Sequence, residues 1–174
     1  RGDEENVLER LIRCGDLGGA TDIFRSTSES PFPYFDLIGE AWAQHVDNNN
    51  DATFLDNIID GCGFEILSLD VLKKSHNEGE DRHRSELCTL YIRENKNQFN
   101  LGYIDPPEKL SRKDMRLTVD YPEDLIVCRA VYEKFKDSAP KIPLLDVVDF
   151  LDDNTQLLKL TSPFCEEGYS TMYL

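Results

Sequence analysis

The chain has 174 residues, with 34 acidic against 19 basic side chains and a formal net charge of -15; this is one domain's length, enough to bury roughly two thirds of the unfolded surface. That field repels phosphate backbones and anionic lipid, and the basic residues form no stripe, which argues against nucleic-acid and membrane partners. No apolar run approaches the ~20 residues that span a bilayer, "RGDEENVLER" is not a signal peptide, and the five cysteines include no C-x-x-C pair, so the chain reads as soluble and cytoplasmic, with reduced, mostly buried thiols.

Helical and strand periods alternate along the chain. Asp3 is placed to cap a helix with Val7, Leu8, Leu11 and Ile12 on one face, and "GDLGGA" ends it. "TDIFRS" is a short strand. Residues 34 to 46 follow as an amphipathic helix with Leu37, Ile38, Ala41 and Trp42 facing inward. "ATFL" and "FEILS" are strands around the glycine turn "DGCG"; a short helix surrounds Val71 and Leu72, and a more polar one lies within "DRHRSELCTLYIREN". "FNLGYI" and "MRLTV" are strands, the second an interior one, and Pro122 to Phe135 is the clearest helix. "PLLDVVDFLDD" is a shorter helix before a tail without periodicity. Strands alternating with crossover helices predict a mixed or parallel α/β sheet covered on both faces.

"RLTVDYPEDL", residues 116 to 125, places Asp120 at a strand's carboxyl end, where open α/β sheets bind ligands. Asp120 is either the N-cap of the following helix, with Pro122 at its first position, or a ligand-binding carboxylate. "FRSTSESPF" delivers Glu29 into a loop just past another strand end. Two such carboxylates can hold Mg²⁺, which leaves its remaining positions to water and phosphate oxygens.

"RGDEENVLERL", "RSTSESPF", "GFEILS", "RHRSELCTLYI" and above all "RLTVDYPEDL" resemble, in order from Arg1 to about Leu151, the successive blocks of cytidylyltransferases of spore-coat polysaccharide and acylneuraminate type. The resemblance implies a three-layer αβα, Rossmann-like fold of the nucleotide-diphosphosugar transferases over residues 1 to 155, N-terminally incomplete, with a tail over 156 to 174. It implies transfer of CMP from CTP to an acidic or modified sugar with release of pyrophosphate, Mg²⁺ as cofactor, and a homodimer formed through a sugar-site lobe at residues 51 to 104.

Carried over by position, Asp120 resembles the metal-binding aspartate of the family's "VDTPEDL" block, and Glu29 takes the place of the acid in its "TGDCPL" block. Both would be catalytic as metal ligands. Arg25, Glu65, Glu86 and His83 would contact substrate. Open alternatives are a structural ion pair for Arg25, a solvent-facing strand position for Glu65 and a lone exposed histidine for His83. Leu87 stands where relatives have a histidine, and His83, one turn earlier, is its candidate substitute. Tyr121 replaces a capping threonine, which favours Asp120 as the cap. Nothing resembles the family's opening strand and basic, glycine-containing phosphate loop, so a fragment or split subunit is expected, catalytic only in the intact protein. A glycosyltransferase of related fold, a non-catalytic interaction module and a carbohydrate-binding domain are the alternatives.

Overall fold

The computed structural model describes residues 2–172. Four short strands form one sheet: β1 (Asp22–Arg25), β2 (Ala52–Phe54), β3 (Glu65–Ser68) and β4 (Leu101–Tyr103), in the order β1-β3-β2-β4. β3 runs antiparallel to both neighbours, whereas β2 and β4 are parallel. The sheet is therefore mixed. Seven helices accompany it: α1 (Val7–Gly18), α2 (Ile38–Asp47), α3 (Leu69–Glu78), α4 (Leu90–Glu94), α5 (Pro122–Phe135), α6 (Leu144–Asp153) and α7 (Thr155–Met172).

Strand alternation explains the layering. Ile66 of β3 belongs to one core, with Ala41 of α2, Val127 and Val131 of α5 and Val147 of α6. Its neighbour Leu67 belongs to a second core, with Leu8 of α1, Val71 and Leu72 of α3 and Ile92 of α4. Successive residues of one strand thus face helices on opposite sides, which makes three layers. Among the described residues no helix is long and apolar enough to cross a membrane.

The structure corrects several local expectations. Asn6, not Asp3, caps α1, its Oδ1 accepting the Glu9 N–H at 3.0 Å. Of the four residues expected to face inward, Ala41 is fully buried and Leu37 and Ile38 pack on the core, but Trp42 is 39% exposed; the helix itself begins only at Ile38, after a 3-10 turn at Phe35–Leu37. The polar helix expected in "DRHRSELCTLYIREN" is a 3-10 turn at Asp81–Arg84 followed by α4. The expected tail, residues 156–174, is helical through residue 172 as part of α7, which packs on α5 and α6; residues 173 and 174 lie outside the described residues. Residues 51–104 supply the central strands β2 and β3 and the edge strand β4 of the same sheet.

The largest difference concerns residues 115–119. Met115 and Leu117 are fully buried, as their alternation predicts, yet the segment is not an interior strand. Only Arg116 makes a β-bridge, to Asp60. Leu117 N–H donates to the Asp60 carbonyl at 2.8 Å and Val119 N–H to the Glu29 carbonyl at 2.9 Å. Its neighbours are loops, so no ladder can propagate along it.

Gly61 makes that arrangement possible. Its φ of +85° is left-handed, and a Cβ would stand 2.6 Å from the Thr118 nitrogen. Gly61→Ala is expected to cost about 2–3 kcal/mol, since backbone strain adds to a contact that backbone atoms cannot relieve. Urea denaturation would read this as a lowered midpoint at unchanged slope, and an unchanged midpoint would refute the close-approach account.

Candidate active site

A cavity of about 710 Å³ opens where β1 and β2 end and β3 begins. The register decides what meets there: Arg25 pairs with Glu65 across β1 and β3. Two ionic clusters form its walls.

The first is centred on Glu65. Its Oε2 accepts from Arg25 Nη1 at 2.7 Å, and its Oε1 from Thr89 Oγ1 at 2.9 Å and Arg93 Nη2 at 3.1 Å. Arg93 is also bidentate to Asp56, at 2.6 and 2.9 Å, and its guanidinium lies 4.1 Å from the Phe54 ring centroid. Burial alone would raise the Glu65 carboxyl, but the Arg25 and Arg93 guanidiniums, with hydrogen bonds from Arg25 and Thr89, hold it below the ordinary value of 4.5. Glu65 is thus not solvent-facing; it fixes two arginines at the cleft. Arg25 does make the structural ion pair, and it donates through Nη2 to the Glu86 carbonyl at 2.9 Å. A guanidinium has five N–H donors, so Arg25 keeps capacity for an anionic ligand.

A depressed acid stabilises the fold above its unfolded value and loses that contribution as pH falls through its folded value. Glu65→Gln should therefore destabilise the protein by about 2–3 kcal/mol at neutral pH, where breaking a buried pair leaves its partners uncompensated. The gap to the parent should close as the parent's Glu65 protonates, below pH 4.5. Paired denaturation curves between pH 3 and 7 check this, and a gap independent of pH would contradict it.

The second cluster is centred on Arg116. Its Nη1 donates to Asp60 Oδ2 at 2.8 Å, its Nε to both Asp124 oxygens at 3.0 and 3.1 Å, and its Nη2 to Asp120 Oδ2. Asp60 and Asp124 are buried, whereas the Asp120 side chain is 49% exposed. Burial, against the pull of Arg116 and helped by Asp120 and Asp124, pushes the Asp60 carboxyl above its ordinary value. Asp60 Oδ1 is buried with no hydrogen-bond partner among the described residues. Three carboxylates around one guanidinium leave a surplus of negative charge on this wall. Gly168 of α7 packs directly on Arg116 and Asp60, where any side chain would collide.

This geometry removes one of the two readings of Asp120. The α5 cap comes from Asp124, whose Oδ2 accepts the N–H groups of Asp120 and Tyr121, each at 3.0 Å. Asp120 is not the cap; it is capped. Its side chain instead reaches the cavity, with Oδ2 engaged by Arg116 and by Thr118 Oγ1 at 3.3 Å. The exposed Glu29 lines the same cavity, and its carbonyl is bound to Val119 N–H beside Asp120.

Arg25, Glu29, Glu65, Glu86 and Asp120 therefore meet in one cleft. His83 does not. It is buried, its Nδ1 accepting the Glu80 N–H at 2.8 Å and its Nε2 donating to Glu94 at 2.9 Å, so it neither stands exposed nor substitutes at Leu87. Sequence reasoning missed Asp56, Asp60, Arg93 and Arg116. Only Asp124 carried a local signal, an acid at the third helical position, where capping boxes place one.

The donor set suits a hard divalent cation. Among the described residues no three His, Cys, Asp or Glu side chains gather as a complete metal cage, but Mg²⁺ needs only one or two carboxylates beside phosphate and water. Thiolate chemistry does not fit. Burial pushes the Cys88 thiol up to about 11 and that of Cys128 up to about 12, so both stay protonated at neutral pH.

No protein-family model matches the chain. It is 30% identical over 169 residues to the uncharacterized protein MJ1063 of Methanocaldococcus jannaschii, covering 97% of this chain and 69% of that protein. It is 27% identical over 155 residues to the spore coat polysaccharide biosynthesis protein SpsF of Bacillus subtilis, covering 88% of this chain and 64% of that one. Its fold matches that of a cytidylyltransferase from Leptospira borgpetersenii with a TM-score of 0.80 at 18% identity, over 91% of this chain and 67% of that structure. The chain thus spans about two thirds of the length of these proteins.

Proposed function

Because this chain belongs to the cytidylyltransferase family of spore-coat polysaccharide type, we propose that it acts in the cytoplasm in transferring CMP from CTP to a sugar for surface-polysaccharide synthesis. The observation that carries this reading is Asp120, a half-exposed carboxylate relieved of capping by Asp124 and held at the cleft by Arg116.

In the reaction a sugar oxygen attacks the α-phosphorus of CTP, forming a P–O bond as the bond to the β-phosphate oxygen breaks; pyrophosphate leaves and the sugar hydroxyl gives up its proton to solvent. No protein nucleophile is required, so the residues bind and orient. Arg25 directs its remaining N–H donors at an anionic group of phosphate or sugar. Glu65 and Asp56 hold Arg25 and Arg93 in place, and the hydroxyl-rich loop of Ser26, Thr27 and Ser30 lines the side on which a polyol would lie. Asp120, with Glu29 as second carboxylate, would hold Mg²⁺, which when bound neutralises charge on the triphosphate.

Incubation of the intact protein with α-labelled CTP, Mg²⁺ and a panel of sugars tests the reading. A CMP-sugar and pyrophosphate in equal amounts are expected, and no pyrophosphate with any sugar would overturn it. A homodimer through residues 51–104 belongs to the same proposal, supported by edge strand β4 with its exposed Tyr103. Sedimentation at micromolar concentration should show a dimer; a monomer refutes that part.

A further inference from the structure

α7 carries two residues that an ordinary covering helix avoids. Pro163 lies within it; proline has no N–H, so the Lys159 carbonyl loses its helical donor, and Ser162 Oγ donates to it at 3.3 Å instead. Gly168 follows, although glycine weakens a helix relative to alanine. The reason is close approach: a Cβ there would stand 2.5 Å from Asp60 Oδ2 and closer still to Arg116 Nη1.

Beyond Pro163 one face of α7 therefore meets the wall of the cleft at two points. Phe164 stacks on Tyr121, with ring centroids 4.1 Å apart and planes 14° from parallel. One turn later, on the same face, Gly168 lies against Arg116. Thr161 and Cys165 of that face are buried. Tyr121 and Arg116 are the two residues that bracket Asp120: Tyr121 follows it in the chain, and Arg116 engages its Oδ2. The Arg116 guanidinium also lies 5.5 Å from the Tyr121 ring centroid, and Arg116, Asp120, Tyr121 and Gly168 all line the cleft. The hydrogen bonds to the Asp120 side chain, from Arg116 and Thr118, both fall on Oδ2. They orient the carboxylate and leave its other oxygen to a ligand. Where Arg116 sits thus decides how Asp120 is presented, and the α7 backbone at Gly168 fills the space beside that guanidinium.

We propose that α7 beyond Pro163 is a positioning element of the nucleotidyl-transfer site: Phe164 holds Tyr121, Gly168 holds Arg116, and through them Asp120 is presented to the divalent cation of a metal–CTP complex. The inference rests on the transfer reading above and adds to that site two residues that touch neither substrate nor metal.

The test uses the intact protein with Gly168→Ala, which forces the backbone away from Arg116, and Phe164→Leu, which removes the stacked ring and keeps an apolar side chain. Both should lower kcat and raise the Mg²⁺ needed for half-maximal rate by roughly 10-fold, since a displacement on the order of 1 Å at a binding group costs rates of that scale or more. KM for the sugar should not change. Binding of Mn²⁺ in the presence of CTP, followed by electron paramagnetic resonance, should weaken to a similar extent, and neither substitution should weaken it further in the Asp120→Asn background, because the effect passes through that carboxylate. Parent-like Mg²⁺ dependence in both variants, or the same added loss of Mn²⁺ affinity with and without Asp120, overturns the inference and leaves the transfer reading standing. Should Gly168→Ala fail to fold, Phe164→Leu decides alone by the same readouts. Absence of turnover in the parent with every sugar overturns the transfer reading instead, and Mn²⁺ binding then decides the inference: Asp120-dependent binding weakened by the α7 substitutions supports it, and binding that is absent or unaltered overturns it.

Discussion

Asp120→Asn in the intact protein should leave the fold nearly untouched and lower CTP-dependent pyrophosphate release by at least about 100-fold, the scale of removing a metal's charge from a transition state. The fold is spared because the groups that cap α5 belong to Asp124, and the Asp120 backbone N–H is donor in that arrangement. What Asp120 loses is a half-exposed ion pair with Arg116; exposed pairs contribute about 0–1 kcal/mol, so the melting temperature should move by no more than roughly 4 °C. Melting curves and turnover measured together at several Mg²⁺ concentrations separate the two effects. Full turnover at ordinary Mg²⁺ would refute the ligand assignment. On the same proposal, Glu29→Gln should instead raise the Mg²⁺ needed for half-maximal rate, its exposed carboxylate being the proposed second ligand.

Arg116→Met has the opposite signature: a large loss of stability before any question of rate arises. Asp60 and Asp124 are buried on this guanidinium, and removing one partner of a buried pair costs about 3–5 kcal/mol, on the order of 10 °C in melting temperature for a chain of this size. The pH dependence carries a defined sign. Asp60 already holds its carboxyl above the ordinary 3.8, so the folded state takes up the proton more readily than the unfolded one. Its destabilising contribution is present at neutral pH and is relieved as pH falls through the folded value toward 3.8. Without Arg116 that relief should grow, and the variant should recover part of its deficit in mild acid. A variant as stable as the parent at pH 7, or one whose deficit widens in mild acid, would contradict the account.

The elements that were legible in the sequence are those specified locally. α5 begins at Pro122 and ends at Phe135 as expected, because proline at the first position, two acids in the first turn and a buried Val127-Cys128-Val131 stripe agree. The four strands of the sheet were also legible. Residues 115–119 were not, because alternation reports which side chains are buried, and a strand also needs a neighbouring strand, supplied here only by loops. α7 was hidden by Pro163 within it.

The site divides in the same way. Asp120, Glu29, Arg25 and Glu65 could be placed by resemblance to a known motif, whereas Asp60 meets Arg116 across 56 positions and Asp56 meets Arg93 across 37. Partnerships at such separations leave no local mark. The cysteines were legible from composition: Cys62, Cys88, Cys128 and Cys165 are buried, and Cys14 is exposed.

The Arg116 cluster also constrains how the sequence can drift. Replacing Arg116 strands Asp60 and Asp124 in the interior, and replacing either acid takes one buried partner from the guanidinium, whereas a concerted exchange of the set for apolar residues would remove the buried charges together. Between those two states lies a valley that single codon changes must cross. Descendants of this protein should therefore keep the trio intact or lose it whole, and an exchange of the whole trio would also free Asp120 from the guanidinium that now holds one of its oxygens.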